Sequence, residues 1–121
     1  MARLGYEGVA ITMQVNVPYV RYSNEDAHWF LGRALHELIK QSGIDKEQID
    51  GLCLSSFSLA PDTAVGVTQH FGLSPRWLDH VPTGGASGVM CLRRAARAVQ
   101  AGDAEVVACV AADTNHVDSF R

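Results

Sequence analysis

Apolar and polar positions along this chain change period several times, and each change marks a predicted element. Residues 6–14, YEGVAITMQ, are a short apolar run with β-branched side chains, the composition of a buried first strand. Ser23-Asn24-Glu25-Asp26 then offers cap residues with two acids in the first turn, and apolar or small residues follow at Ala27, Phe30, Leu31, Ala34, Leu35, Leu38 and Ile39. Their three-to-four spacing predicts an amphipathic helix. Ser42-Gly43 supplies a left-handed stop, and residues 44–50, IDKEQID, form the connecting turn. Gly51 to Ser55 is a second strand.

Pro61-Asp62-Thr63 caps a second predicted helix carrying Ala64, Val65, Val67, Thr68 and Phe71, with Gly72 at its end and Ser74-Pro75 as the turn out. Residues 77–81, WLDHV, alternate in a way that predicts a strand with one exposed face or at a sheet edge. A glycine turn follows, then a helix from Ser87 to Ala101. Residues 105–112, EVVACVAA, are the most continuously apolar strand, and Asp113 closes it.

Strands alternating with helices predict an α/β fold: a mostly parallel sheet covered by helices. With 121 residues and 47% hydrophobic content, the chain reads as one domain able to bury a core. So apolar a last strand, followed by a short polar tail (residues 114–121), is expected to pair with something. The same holds for the edge at residues 77–81, which makes a homodimer the expected state. A net charge of -3 with no Lys/Arg run gives no pull towards nucleic acid or anionic lipid. No apolar stretch approaches the ~18 residues of a membrane span, and the N-terminus has no basic-then-apolar layout. The expected compartment is the cytoplasm.

Three widely spaced cysteines, Cys53, Cys91 and Cys109, sit in apolar segments and read as buried free thiols, not as a disulfide framework or zinc site. The histidines, His28, His36, His70, His80 and His116, form no metal-ligand cluster in sequence. The chemistry concentrates at Val81-Pro82-Thr83-Gly84-Gly85-Ala86-Ser87-Gly88. A strand that stops in a glycine turn and enters a helix aims backbone N–H groups and the positive helix end at one spot, suited to an anion or developing oxyanion.

Ser87 follows this turn without a histidine or carboxylate beside it in sequence, so it reads as helix-start structure before it reads as a nucleophile. Cys91 is set on one apolar face with Leu92, Ala95 and Val99, as a small core residue. Arg93, Arg94 and Arg97 are either a solvated face or forks for the phosphates of a ligand. Asp79 and His80 precede the turn and either reach the pocket or point to solvent. Asp113 stands where ligands of parallel sheets bind, or caps a turn. A dinucleotide site is disfavoured, because residues 84–88 do not spell G-x-G-x-x-G.

The segments IDKEQIDG (residues 44–51), Gly84-Gly85-Ala86-Ser87-Gly88 and AGDAEVV (residues 101–107), with Ala111-Ala112-Asp113, resemble the thiolase superfamily. The likeness is to its thiolase-like branch related to sterol carrier protein X and lipid-transfer thiolases. It covers the N-terminal half of such a protein. The resemblance implies acyl-CoA chemistry in lipid metabolism, with a CoA thioester as substrate, no bound cofactor, and Gly84, Gly85, Ala86 and Ser87 lining the ligand. It also implies a nucleophilic cysteine at the position held here by Gly85, and later histidine and cysteine motifs that lie outside this sequence. Ser87 and His80 are the residual catalytic candidates.

Cysteine-less members act as retro-aldolases with a zinc-containing partner and second-half tyrosines; Tyr6, Tyr19 and Tyr22 do not match those. Two readings follow from the resemblance. One is a thiolase-like acyl-CoA processing protein of acyltransferase or carbon–carbon bond type; the other is a non-catalytic binding or assembly subunit completed by a partner chain.

Overall fold

A computed structural model describes residues 5–18, 20, 23–59 and 63–114. Tyr19, Tyr22, Pro61, Asp62, His116 and the polar tail beyond residue 114 lie outside the described residues. Helix α1 spans Ala27–Ser42 and ends at Gly43; Asp26, expected with Glu25 inside the first turn, is instead the N-cap, because its carboxylate accepts from Trp29 N, and the first turn holds no acid. A single 3-10 turn, Lys46–Gln48, leads into strand β1, Gly51–Ser55. Helix α2, Ala64–Phe71, starts from Thr63, whose side chain accepts from Gly66 N, and ends at Gly72. Strand β2 is Trp77–His80, helix α3 is Ser87–Ala101 and strand β3 is Val107–Ala111.

The three strands form one parallel sheet in the order β2-β1-β3. Its central strand is buried at all five positions, and the period-two alternation of strand side chains divides them between two cores. Leu52 and Leu54, with Ala108 and Val110 of β3, pack against Leu31 and Leu35 of α1 and Val67 of α2. Cys53 points the other way and meets Val81 and Cys91, with Cys109, Trp77 and Met90 around them. Helices therefore cover both faces, α1 and α2 on one and α3 on the other. Among the described residues, no helix is long and apolar enough to cross a membrane.

Four further sequence expectations are corrected. Residues 6–14 form no strand: Tyr6, Ile11 and Met13 are exposed, and residues 5–7 lie along α3, where Gly5 and Glu7 carbonyls accept from Arg97 and Gln100. An apolar run becomes a strand only where a ladder receives its backbone groups, and neither sheet edge takes this one. The last strand starts at Val107 and not at residue 105, because the Asp50 carboxylate captures the N–H groups of Glu105 and Val106. It is also an edge strand with alternating burial, and none of the described residues pairs with its outer side. On α3 the buried stripe is Ser87, Cys91, Ala95 and Ala98, while Leu92 is exposed and Val99 only half-buried, since a one-residue step turns the helix by about 100°.

The lower end of the sheet is tied by Asp50. Its carboxylate accepts from Glu105 N at 2.9 and 3.0 Å and from Val106 N at 2.8 Å, and Arg76 approaches it at 3.8 Å. Burial pushes this carboxyl up, but the N–H donors of Val106, Glu105 and Asp50 itself, with Arg76, outweigh that and hold it below its ordinary range. Beside it, a Cβ on Gly51 would meet Val107 Cγ2 at 2.8 Å and Ala104 Cβ at 3.1 Å, so only glycine fits that crossing.

Two outcomes follow. Gly51→Ala should overpack the junction and lower stability by about 1–3 kcal/mol, read as a lower denaturant midpoint at unchanged slope. Asp50→Asn should cost a comparable ~1–3 kcal/mol at neutral pH. A carboxyl lowered on folding contributes fully above its unfolded value near 3.8 and loses that contribution as pH falls through the folded value. The stability gap between wild type and Asp50→Asn should thus narrow below pH 3.8; a gap independent of pH would assign the loss to packing instead.

Candidate functional site

Because the three strands are parallel, their carboxyl ends open on one side of the sheet, and the loops that leave them meet there. These are residues 56–58 after β1, residues 81–86 between β2 and α3, and residues 112–114 after β3. His80 and Asp113 are linked there through Ser56, and the glycine turn leaves the same end of the sheet. The arginines of α3 take no part in that link.

The turn is built from Val81 outward. Val81 N donates to Leu54 O at 2.8 Å, which extends the ladder one residue past β2 and buries Val81 to 1% exposure. Gly84 has φ +86, a left-handed conformation that reverses the chain and favours glycine. Ser87, also 1% exposed, closes the turn from inside: Thr83 N donates to its Oγ at 2.8 Å, and the two hydroxyls are 3.0 Å apart. Thr83 Oγ1 donates to Met90 Sδ at 3.6 Å, so the Ser87 hydroxyl gives its proton to Thr83. Ser87 is thus a structural lock on the turn.

What faces outward is backbone. Gly85, Ala86 and Gly88 are exposed, and the N–H groups of Gly85, Ala86, Gly88 and Val89 have no acceptor among the described residues. No acidic residue stands in the first turn of α3 to neutralise the helix end, and Ala86 at its N-cap offers no side-chain acceptor. Four donors without an acceptor and an uncompensated dipole are the features that suit a backbone turn to an anion. A Cβ placed on Gly85 would find nothing within 4 Å, and its φ lies in ordinary territory. Neither space nor backbone strain demands glycine at this position.

His80 ends β2 with its ring Nε2 2.9 Å from Ser56 O, while its own N–H donates to Asp79 Oδ1 at 2.8 Å. Asp79 is engaged on its other oxygen by Arg94 at 3.0 Å, an ion pair on the outer side of the edge strand. Arg97 stacks over the Tyr6 ring at 4.0 Å and donates to Gly5 O. Asp79, Arg94 and Arg97, with Arg93, Trp77 and Met90, line a groove of about 560 Å³ flanking β2 and α3.

The three thiols gather beneath the turn. Cys53 and Cys91 are within hydrogen-bonding reach; this contact pushes the Cys53 thiol up, with burial adding to it, and holds Cys91 down as the acceptor. Burial pushes Cys109 up to about 12. Cys53 and Cys91 are 0% and 1% exposed, so none of the three is a ready nucleophile. Among the described residues, no three His, Cys, Asp or Glu side chains are placed to hold a metal ion.

Sequence reasoning missed Ser56, Ser58 and Thr83. The SSFS run directly after a strand was the available signal, since hydroxyls at a strand's carboxyl end border any site there.

No family model matches the sequence, and comparison with curated proteins gives no match. Solved structures do match. A Ltp2-ChsH2(DUF35) aldolase superposes with TM-score 0.62 at 24% identity, over 81% of this chain and 27% of that one. A cysteine-to-serine form of Xanthomonas campestris OleA, solved with lauric acid and lauroyl-CoA, gives TM-score 0.67 at 22% identity, over 80% and 30%. A β-ketoacyl-[acyl carrier protein] synthase III from Thermus thermophilus gives 0.61 at 25%, over 73% and 28%. This chain therefore spans between 27% and 30% of the length of these structures, and it has a thiolase-like α/β fold.

The electropositive turn has a direct test. Gly85→Cys should fold with stability within about 0.5 kcal/mol of wild type, and its thiol should titrate below the free value of ~8.5. Iodoacetamide alkylation against pH measures this over the low background of the three native thiols. An apparent value at or above that of free cysteine would mean that the helix end is not electropositive.

Proposed function

We propose that this chain is the nucleophile-turn portion of a thiolase-like protein that processes CoA thioesters, with acyl-transfer or carbon–carbon bond chemistry that does not pass through an acyl-cysteine at this turn. One observation carries the reading: in a thiolase-like fold, four unengaged backbone N–H groups converge at the start of α3 around a residue, Gly85, that has no side chain. Such donors polarise a thioester carbonyl and stabilise the negative charge that develops on its oxygen. Covalent catalysis needs a nucleophile, and the hydroxyls and thiol nearest in sequence are engaged: Thr83 Oγ1 with Ser87 Oγ and Met90 Sδ, and Ser87 and Cys91 in buried contacts. Gly84, Gly85 and Ala86 form the ligand-facing wall, and Ser87 supports them from below.

The second reading is a binding or assembly subunit completed by a partner chain, with homodimerisation through the open sheet edges. It is favoured by exposed apolar side chains on α3, Val89 at 72% and Leu92 at 44%. A two-component name, Ltp2-ChsH2, among the matched structures fits this reading. In either reading the expected setting is cytoplasmic lipid metabolism with no resident cofactor.

Isothermal titration with CoA and with lauroyl-CoA tests the ligand. Saturable binding that weakens at least about tenfold when Ala86→Pro removes one N–H donor is expected. No heat at millimolar ligand would remove the thioester reading for this chain. Sedimentation at micromolar protein separates the subunit reading, because a strict monomer contradicts homodimerisation.

A further inference from the structure

Asp113 is exposed, yet its Oδ1 alone accepts four hydrogen bonds from the loop leaving β1: from Ser56 Oγ at 3.0 Å, Phe57 N at 2.8 Å, Ser58 N at 2.9 Å and Ser58 Oγ at 2.7 Å. Ser58 Oγ accepts in turn from Thr114 N at 3.0 Å, so loops from two neighbouring strands are tied into one unit. Ser56 is 2% exposed, and its carbonyl is the partner of His80 Nε2 at 2.9 Å. A carbonyl has no proton to give. The contact therefore requires the hydrogen on Nε2, and in the neutral ring Nδ1 is left with its lone pair. Nδ1 has no partner among the described residues, and the ring is only half-buried.

We propose that Asp113 is a positioning residue for His80: by clamping residues 56–58 it holds the Ser56 carbonyl against Nε2–H and so presents Nδ1 as a proton acceptor at the carboxyl end of the sheet. Asp113 does not touch the imidazole; it acts through Ser56. The charge on Asp113 matters because a carboxylate oxygen gathers two backbone N–H groups and two hydroxyls that a neutral acceptor would hold less firmly. A histidine fixed in this way can take one proton on Nδ1 and become an imidazolium while its Nε2–H bond stays in place. That it does so for a substrate held at residues 84–86 rests on the thioester reading. The tautomer and its dependence on Asp113 do not.

The test is the ring itself. Long-range proton–nitrogen correlation spectra of the nitrogen-15-labelled chain, taken above the pH at which the imidazole is protonated, show which ring nitrogen carries the lone pair. Wild-type His80 should be the Nε2–H form by roughly fivefold or more over its free-imidazole bias, the factor that one net hydrogen bond supplies. Asp113→Ala should move both ring-nitrogen shifts towards free-imidazole values and speed amide exchange at Phe57 and Ser58 by about tenfold. Asp113→Asn keeps an acceptor oxygen without the charge and should place the ring shifts between those of wild type and Asp113→Ala.

A hydrogen on Nδ1 in the wild type overturns the proposal, and so do unchanged ring shifts in a folded Asp113→Ala protein. If Asp113→Ala does not fold, Ser58→Ala, which removes the hydroxyl linking Asp113 to Thr114, should shift the ring signals in the same direction by less; no shift there overturns it equally. CoA titration is a separate arm. A chain with the expected tautomer and no CoA binding refutes the thioester reading and leaves the positioning role standing.

Discussion

A three-stranded parallel sheet is held only if its central strand is satisfied along its whole length, and here that condition is met from both ends by aspartates. Parallel ladders cannot be closed by tight hairpins, so each strand enters and leaves through a long connection, and the strand ends are where pairing would fray. Asp50 gathers the N–H groups that lead into β3, while its own carbonyl accepts from Arg76 and Trp77 at the start of β2. Asp113 gathers the chain that leaves β1. Between them the five residues of β1 are buried on both faces. The lower aspartate fixes register; the upper one fixes the loops on which any chemistry must sit.

The two faces of the sheet are unequal, and the inequality places the site. One is filled by leucines and valines from α1, α2, β1 and β3, each worth about 1.5–3 kcal/mol when buried. The other is thin: α3 presents Ser87, Cys91, Ala95 and Ala98 to Cys53 and Val81. Small side chains bring the helix close to the sheet, and closeness sets the first turn of α3 directly over the carboxyl end of β2. The price is a helix whose outer face still carries Val89 and Leu92 in the open. An element apolar on two sides is suited to a middle layer.

Much of the fold was legible in the residues themselves. Thr63 and the glycines after each helix start and stop the helices where capping rules place them, and the GLCLS run reads correctly as a strand, whereas the start of α1 slips to Asp26 because several neighbouring residues can cap. Residues 6–14 misled because strand composition carries no information about whether a ladder is available. Residues 105 and 106 misled because a side-chain carboxylate from a distant position took their N–H groups. The site was half legible. The glycine turn announced itself by local sequence, whereas the Asp113–Ser56–His80 link joins residues separated by 57 and 24 positions, and no local pattern encodes such a meeting.

Gly85 concentrates the functional argument. A glycine conserving a strained backbone would have a structural explanation, but its φ is ordinary and its missing Cβ faces open space. What the residue does is leave the donors around it unobstructed. An oxygen approaching the start of α3 meets N–H groups and no side chain, so the turn can hold and polarise a group without bonding to it. On the proposed reading proton transfer comes from a neighbouring side chain, and among the described residues His80 leaves its Nδ1 without a partner. In the proposed function, the absence of a thiol and the presence of a fixed imidazole are thus two sides of one arrangement: electrostatic holding by backbone, with acid–base capacity supplied from the adjoining strand.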